Sequence, residues 1–166
     1  YELRDRGIDV LTGAEFSCTV PDYGIGIHVL TYGFTPSQEE KLKNMRHDLY
    51  SFMDYANEQD IPTVWAHPLY HYKASGMPPL EFFDRMALVF ERFEVINGQR
   101  DAWQNMLVKN WLQALTPERI DSISRKTGIK PDRYCTRPYT KSMAGGSDCH
   151  MGLFAGQTGT RLYIPD

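Results

Sequence analysis

The stretch Ile25-Gly26-Ile27-His28-Val29-Leu30-Thr31-Tyr32-Gly33-Phe34-Thr35-Pro36-Ser37-Gln38 sets the cadence of the chain. Its first six residues are a β-rich run. Thr35, Pro36 and Gln38 then write a helix start: Thr at the N-cap, Pro at the first helical position, where its missing N–H costs nothing, and Gln to close a capping box. Leu42, Met45, Leu49, Phe52, Met53 and Ala56 recur at helical spacing and predict one amphipathic helix beyond that cap. Further along, Ile61 to Ala66 is a compact apolar run closed by His67-Pro68, where the proline bars simple continuation as a central strand. A Gly76-Met77-Pro78-Pro79 loop precedes a second helix marked by Leu80, Phe83, Ala87 and Phe90. Phe93-Glu94-Val95-Ile96 reads as a strand closed by the Asn97-Gly98 turn signal. Trp103, Leu107, Trp111 and Ala114 mark a third helix, and Thr116-Pro117-Glu118 caps a fourth that ends at Gly128. In the other direction, Tyr1 to Arg6 reads as a last helical turn closed by Gly7, followed by Ile8-Asp9-Val10-Leu11 as a short buried strand. Strands alternating with helices predict an α/β fold, mostly parallel strands with flanking helices, because parallel strands need crossover connections. No fixed-period repeat and no long linker divides the chain, so residues 1–166 read as a single domain.

Composition narrows the function classes. The 166 residues carry 18 basic against 21 acidic side chains, a formal charge of −3, with 42% hydrophobic and 23% charged residues. That is the make-up of a globular domain with a real core. No apolar stretch approaches the roughly 20 residues of a membrane span. The near-neutral charge argues against a dedicated nucleic-acid surface. Three cysteines, Cys18, Cys135 and Cys149, form no Cys-x-x-Cys pair and fit a reducing compartment, so a cytoplasmic location is expected. The chain opens on Tyr1 at the tail of a helix, and Arg161 to Asp166 closes it in a strand-like run. A full (β/α)₈ barrel takes roughly 200 residues or more, so the expectation is an N-terminally truncated slice of something longer.

The polar residues that end the apolar runs carry the chemistry. Gly7 to Ala14 leads to Glu15, the Ile25 strand carries His28, and the Thr63 run delivers His67. Ser142 to Ser147 delivers Asp148 and His150. In parallel α/β sheets, ligands gather at the carboxyl ends of strands. Glu15, His28, His67, Asp148 and His150 on one rim would make a ligand set suited to Zn, Mn or Fe. Singly, each has a plainer reading: Glu15 as a turn residue, a strand-end histidine as hydrogen-bonded or solvated. On an extended backbone Asp148 and His150 point to one side and Cys149 to the other, into the wall. His47 reads as structural or surface, and His71 as a solvated loop residue. Arg100, Arg137 and Lys141 lie near the same rim in sequence and are candidate phosphate contacts, beside Asn97.

Taken in order, Gly13-Ala14-Glu15, Ile27-His28-Val29-Leu30, Ala66-His67-Pro68, Phe93-Glu94-Val95-Ile96-Asn97-Gly98 and Gly146-Ser147-Asp148-Cys149-His150 resemble the PHP (polymerase and histidinol phosphatase) domain across the whole chain. Asp48-Leu49-Tyr50, His67-Pro68-Leu69-Tyr70, Leu115-Thr116-Pro117-Glu118 and Gly145-Gly146-Ser147-Asp148 are most similar to the PHP module that precedes a group 1 glycosyltransferase in large bacterial proteins. The resemblance implies a partial, distorted (β/α)₇ TIM-like barrel and metal-dependent phosphoester hydrolysis at a trinuclear site. It implies that Glu15 bridges two metals, with His28 and His67 completing the second metal's ligands. Asp148 would serve the first metal and His150 the third, with Glu15 and Asp148 as the catalytic carboxylates. The family's His-x-His strand has no counterpart in this sequence, so up to three divalent ions in the intact site become one or none here. A small phosphorylated substrate and an attached glycosyltransferase domain are the implied partners. A non-catalytic metal-binding or scaffolding module is the alternative, and a hydrolase of carbon–nitrogen bonds a third reading.

Overall fold

Pro21-Asp22-Tyr23-Gly24 is where the chain first departs from strand–helix alternation. In the computed structural model, which describes residues 4–7, 10–71 and 77–163, these four residues form a tight turn between β1 (Gly13–Val20) and β2 (Ile25–Tyr32). Tyr23 N–H donates to the Val20 carbonyl at 3.2 Å, and Gly24 sits at φ +58°, a left-handed conformation that side chains disfavour. The two strands pair antiparallel from Gly13↔Tyr32 to Val20↔Ile25. Helices α1 (Pro36–Met45) and α2 (Leu49–Glu58) lead to β3 (Thr63–Trp65), and α3 (Leu80–Val89) to β4 (Arg92–Asn97). Helices α4 (Ala102–Gln113) and α5 (Pro117–Thr127) precede β5 (Ser142–Gly146).

The strands form one five-stranded sheet in the order β1-β2-β3-β4-β5. β1, β2 and β3 are antiparallel neighbours, whereas β3, β4 and β5 run parallel. The sheet is mixed and open, with β1 and β5 at its edges. This corrects the expectation of a mostly parallel, partial (β/α)₇ barrel. Two physical reasons account for it. The Pro-Asp-Tyr-Gly turn makes β1 and β2 a hairpin, and a helical connection does not oblige the strands it joins to be parallel: α1 and α2 lie between the antiparallel β2 and β3.

Capping explains the helix boundaries. Thr35 and Gln38 form the reciprocal capping box that their spacing predicts. The single helix expected from Pro36 to Ala56 is instead two, because Asp48 accepts from Tyr50 N–H at 2.9 Å and starts α2 anew. α5 begins at the Thr116 cap and ends at Gly128, φ +74°. At the N-terminus, Arg4–Arg6 is a single 3₁₀ turn before Gly7, and Val10 and Leu11 are exposed and outside any strand. The rest of the expected first strand, Ile8 and Asp9, lies outside the described residues, as do Tyr1–Leu3, Gly76 and Ile164–Asp166. Arg161 to Tyr163 is not strand. No helix among the described residues is long and apolar enough to cross a membrane.

The period-2 alternation of β1 and β2 sorts the sheet into two faces. Phe16, Cys18 and Val20, with Ile25, Ile27 and Val29, are buried on one. Helical side chains cover that face: Phe52 of α2 packs on Phe16 with ring centroids 5.4 Å apart. Trp65 meets Phe82, Phe93 and Trp111 at 5.9, 6.0 and 6.1 Å. Fully burying one large apolar side chain stabilises by about 1.5–3 kcal/mol, so this aromatic cluster anchors the helices to the sheet. Glu15 and His28 belong to the other face.

Candidate metal centre

Glu15 is directly opposite Leu30 in the β1–β2 ladder, and His28 lies two residues before Leu30. Opposed residues share a face, as do residues two apart, so the pair register makes Glu15 and His28 diagonal neighbours. The next ladder brings in the third residue. Val29 pairs with Trp65, and Ala66 N–H donates to the His28 carbonyl at 3.0 Å. His67 follows immediately, at φ +30°, a conformation that non-glycine residues rarely hold. Its backbone N–H donates to Glu94 Oε2 at 2.9 Å, which fixes the strained residue in place.

Three donor atoms converge as a result. His28 Nδ1 contacts Glu15 Oε1. His67 Nε2 lies 3.3 Å from His28 Nδ1 and 3.6 Å from Glu15 Oε1. Among the described residues, this is the group of three metal-ligating side chains whose donor atoms all lie within 4.8 Å of one another. Bonds of about 2.0–2.1 Å to a tetrahedral ion put neighbouring ligand atoms roughly 3.4 Å apart, close to the two longer spacings here. The cluster grades from the surface inward: Glu15 is exposed, His28 half-buried and His67 buried. Two imidazoles and one carboxylate are a catalytic zinc's usual protein ligands, with a further position left open. The residues therefore fit a divalent ion.

Electrostatics favour a cation there. Hydrogen bonds to His28 and then His67 hold the Glu15 carboxyl far below the usual carboxylate range, against the opposing effect of burial. Burial pulls the His67 pKa down, but Glu15, Glu94 and Asp148 together outweigh it and the net shift is upward. His67 Nδ1 is buried with no hydrogen-bond partner among the described residues. Its ring is held by edge-on packing against His28 and Tyr70, at 5.1 and 5.4 Å between centroids, and by its backbone bond to Glu94.

Glu94 and Asn97 tie the cluster to Asp148. Asn97 Nδ2 donates to Glu94 Oε2 at 2.9 Å and to Asp148 Oδ2 at 3.2 Å. Burial, with help from the Asp148 charge, raises the Glu94 pKa. Gly146 leaves room for that carboxylate, because a Cβ there would lie 2.5 Å from Glu94 Oε1. The sequence reading sets Glu94 inside a strand without a role. Its signal is a charged residue in the run Phe93-Glu94-Val95-Ile96, since a strand buried on both faces seldom carries an unpaired charge.

The remaining expected site residues are placed as follows. Asp148 is half-buried, its side chain 9% exposed, and does not join the three-donor group. Arg100 NH2 lies 3.6 Å from Asp148 Oδ2, and the guanidinium stacks 3.9 Å from the centre of the Tyr70 ring. His150 does not join the group either: its side chain is 81% exposed, and Nδ1 lies 2.9 Å from the Asp148 carbonyl oxygen. The extended alternation expected for residues 148–150 fails because Asp148 adopts φ +50°. Cys149 consequently faces no wall; it is partly exposed, and its Sγ accepts from Phe154 N–H at 3.2 Å. Arg137 and Lys141 belong to the opposite end of β5 from Asp148. Arg137 N–H donates to Glu91, and Lys141 Nζ donates to the Phe90 carbonyl at 2.9 Å. His47, read as structural or surface, is exposed. No family model matches the chain, and no curated protein matches it.

Proposed function

We propose that the chain is a metal-dependent phosphoesterase of the PHP type, hydrolysing a small phosphate mono- or diester by metal-activated water. One observation supports this above the others: Glu15, His28 and His67, from three different strands or strand ends, each bring a donor atom to within 4.8 Å of the other two. In this reading the resident ion is Zn, Mn or Fe. When bound, such an ion supplies a water with its pKa lowered to about 7 and polarises the phosphoryl oxygen. Glu15 and the two imidazoles orient the ion. Asp148 is a further carboxylate for a second cation, and Arg100, partly exposed and steadied by Tyr70 and Asp148, pairs with a substrate phosphate. Asn97 holds Asp148 rather than the substrate. Location in the cytoplasm and attachment to a glycosyltransferase in a longer protein belong to the same proposal.

The test combines elemental analysis with hydrolysis of bis-p-nitrophenyl phosphate, for this chain and for any longer protein that contains it. Glu15→Ala, His67→Ala and Asp148→Ala should abolish turnover in the active form, the first two with loss of metal. Turnover unchanged in all three would reject the site. Metal held at Glu15 and His67 with no turnover in any form would favour a scaffolding role instead.

A further inference from the structure

A cavity of about 280 Å³ opens beside Asp148, and its lining divides by chemistry. Arg100, Asp148 and His150 are charged or polar, whereas Cys149, Met151 and Phe154 are apolar. Met151 is 80% exposed and Phe154 47% exposed, so both leave apolar surface in water that a ligand would cover. The polar members are continuous with the metal centre, because Asp148 is bonded through Asn97 to the same Glu94 that holds His67. Small-molecule sites have this make-up, apolar walls with a few placed polar groups, and range over about 300–1,000 Å³ for drug-sized ligands. A cavity at the bottom of that range suits one ring system rather than an extended chain.

We infer that this cavity seats the organic group of the substrate, and that Met151 and Phe154 select phosphate esters whose alcohol carries a flat, apolar ring. The inference rests on the phosphoester reading above and names the substrate class for it. Arg100 lines both this cavity and the small pocket that holds His67 and Glu94, and its guanidinium packs on the Tyr70 face 3.6 Å from Asp148, so an anionic group paired with it would lie on the side of the cavity towards His67. A ring attached to that anion would then lie against Phe154 by offset or edge-to-face stacking, and against the Met151 sulfur, both favourable partners for an aromatic. A simple aryl ester and a nucleotide share this chemistry.

Calorimetric titration of the metal-loaded chain with phosphonates, which cannot be hydrolysed, tests this. Phenylphosphonate should bind about tenfold more tightly than methylphosphonate, the size of one good stacking contact. Phe154→Ala and Met151→Ala, at exposed positions where folding is not at stake, should bring that ratio towards unity and leave methylphosphonate binding unchanged. The phosphonate analogue of AMP as a third ligand separates the two sources: tighter binding than phenylphosphonate names a nucleobase, weaker binding a simple aryl group. Equal affinity for the phenyl and methyl compounds, or a ratio unmoved in both variants, overturns the inference and leaves the phosphoester reading standing. If a metal-loaded chain binds neither phosphonates nor orthophosphate, both fail together.

Discussion

The backbone N–H of His67 and the Glu94 carboxylate, 2.9 Å apart, join the end of one parallel strand to the middle of the next. His67 is held at φ +30°, and a residue in so sparsely populated a region costs of order 1–3 kcal/mol and persists only where its surroundings impose it. Glu94 imposes it from a buried position, and the same oxygen, Oε2, takes a second hydrogen bond from Asn97. The orientation of an imidazole that could hold a metal is therefore set by a carboxylate that does not itself reach the metal position.

Replacing Glu94 with Ala should leave the His67 N–H without its acceptor and the Asn97 amide with Asp148 alone, at a cost of about 1–3 kcal/mol in chemical denaturation. Metal affinity should fall roughly 10–100-fold, the usual consequence of removing an outer partner of a ligand. Glu94→Gln keeps an acceptor oxygen and should fall between the two. Wild-type metal affinity in Glu94→Ala would show that the backbone bond does not orient His67.

Gly146→Ala puts a methyl group where Glu94 Oε1 now lies, 2.5 Å from the ideal Cβ position. The carboxylate must move, so a destabilisation of about 1–3 kcal/mol is expected, together with weaker metal binding. The two positions should be strongly non-additive: in a Glu94→Ala background the Gly146→Ala change should cost almost nothing. Additive losses in that double-mutant cycle would mean that the glycine serves backbone shape alone.

The ligands themselves should rank clearly in metal content after dialysis. Alanine at Glu15, His28 or His67 removes one of the three donors that converge among the described residues and should weaken binding by more than the roughly 100-fold upper figure for an outer partner. Asp148→Ala should leave the ion at Glu15, His28 and His67 nearly as tightly held and cost only the second cation assigned to that carboxylate. His150→Ala, at a side chain 81% exposed, should have none. Loss of metal in His150→Ala equal to that in His67→Ala would require a different centre.

Cysteine chemistry reports on packing at alkaline pH. Burial pushes the Cys18 thiol up to about 12 and the Cys135 thiol up to about 11. The Cys149 thiol is instead lowered, chiefly by the Phe154 N–H. Iodoacetamide at pH 8.5 should label Cys149 in the native chain and all three cysteines after denaturation. The two raised values also fix the sign of a stability effect. Folded values above the unfolded one, about 8.5, mean a contribution fully present below pH 8.5 and lost as pH rises through 11 to 12. Melting temperatures should therefore decline from pH 9 upward, and less steeply in Cys18→Ser if that variant still folds.

The helix starts were legible because capping is local: Thr35-Pro36-Ser37-Gln38 and Thr116-Pro117 declare themselves within four residues. The break between α1 and α2 was harder to see, since apolar spacing runs on through Leu49 and Phe52 while Asp48 restarts the ladder. The sequence carries no reading of β1: its first apolar run ends at Glu15 and no strand is expected over Gly13–Val20, so the hairpin that this strand makes with β2 through the Pro21-Gly24 turn emerges only in the structure. For the candidate site, Glu15, His28 and His67 stand out by residue type only in combination with their place beside apolar runs and their order along the chain, since each alone has a plainer reading. Glu15, however, lies inside β1 rather than at a strand end, and what brings it to His28 is antiparallel register. Asp148 and His150 depended on local backbone geometry, and one positive φ undid the expected alternation. Glu94 escaped notice because its role is to hold a neighbour's main chain, a relation that only tertiary structure contains.

The β1–β2 hairpin has two jobs that cannot be separated. Sliding one strand past the other by a single position would turn Glu15 inward among the aromatic rings and swing Phe16 out into solvent, because every side chain changes sides at once. Errors in pairing would thus be punished by the exposure of grease long before any loss of ion binding was felt. The hydrophobic half of the ladder acts as a ruler for the polar half, and the spacing of the donors is kept true by residues that never meet a cation.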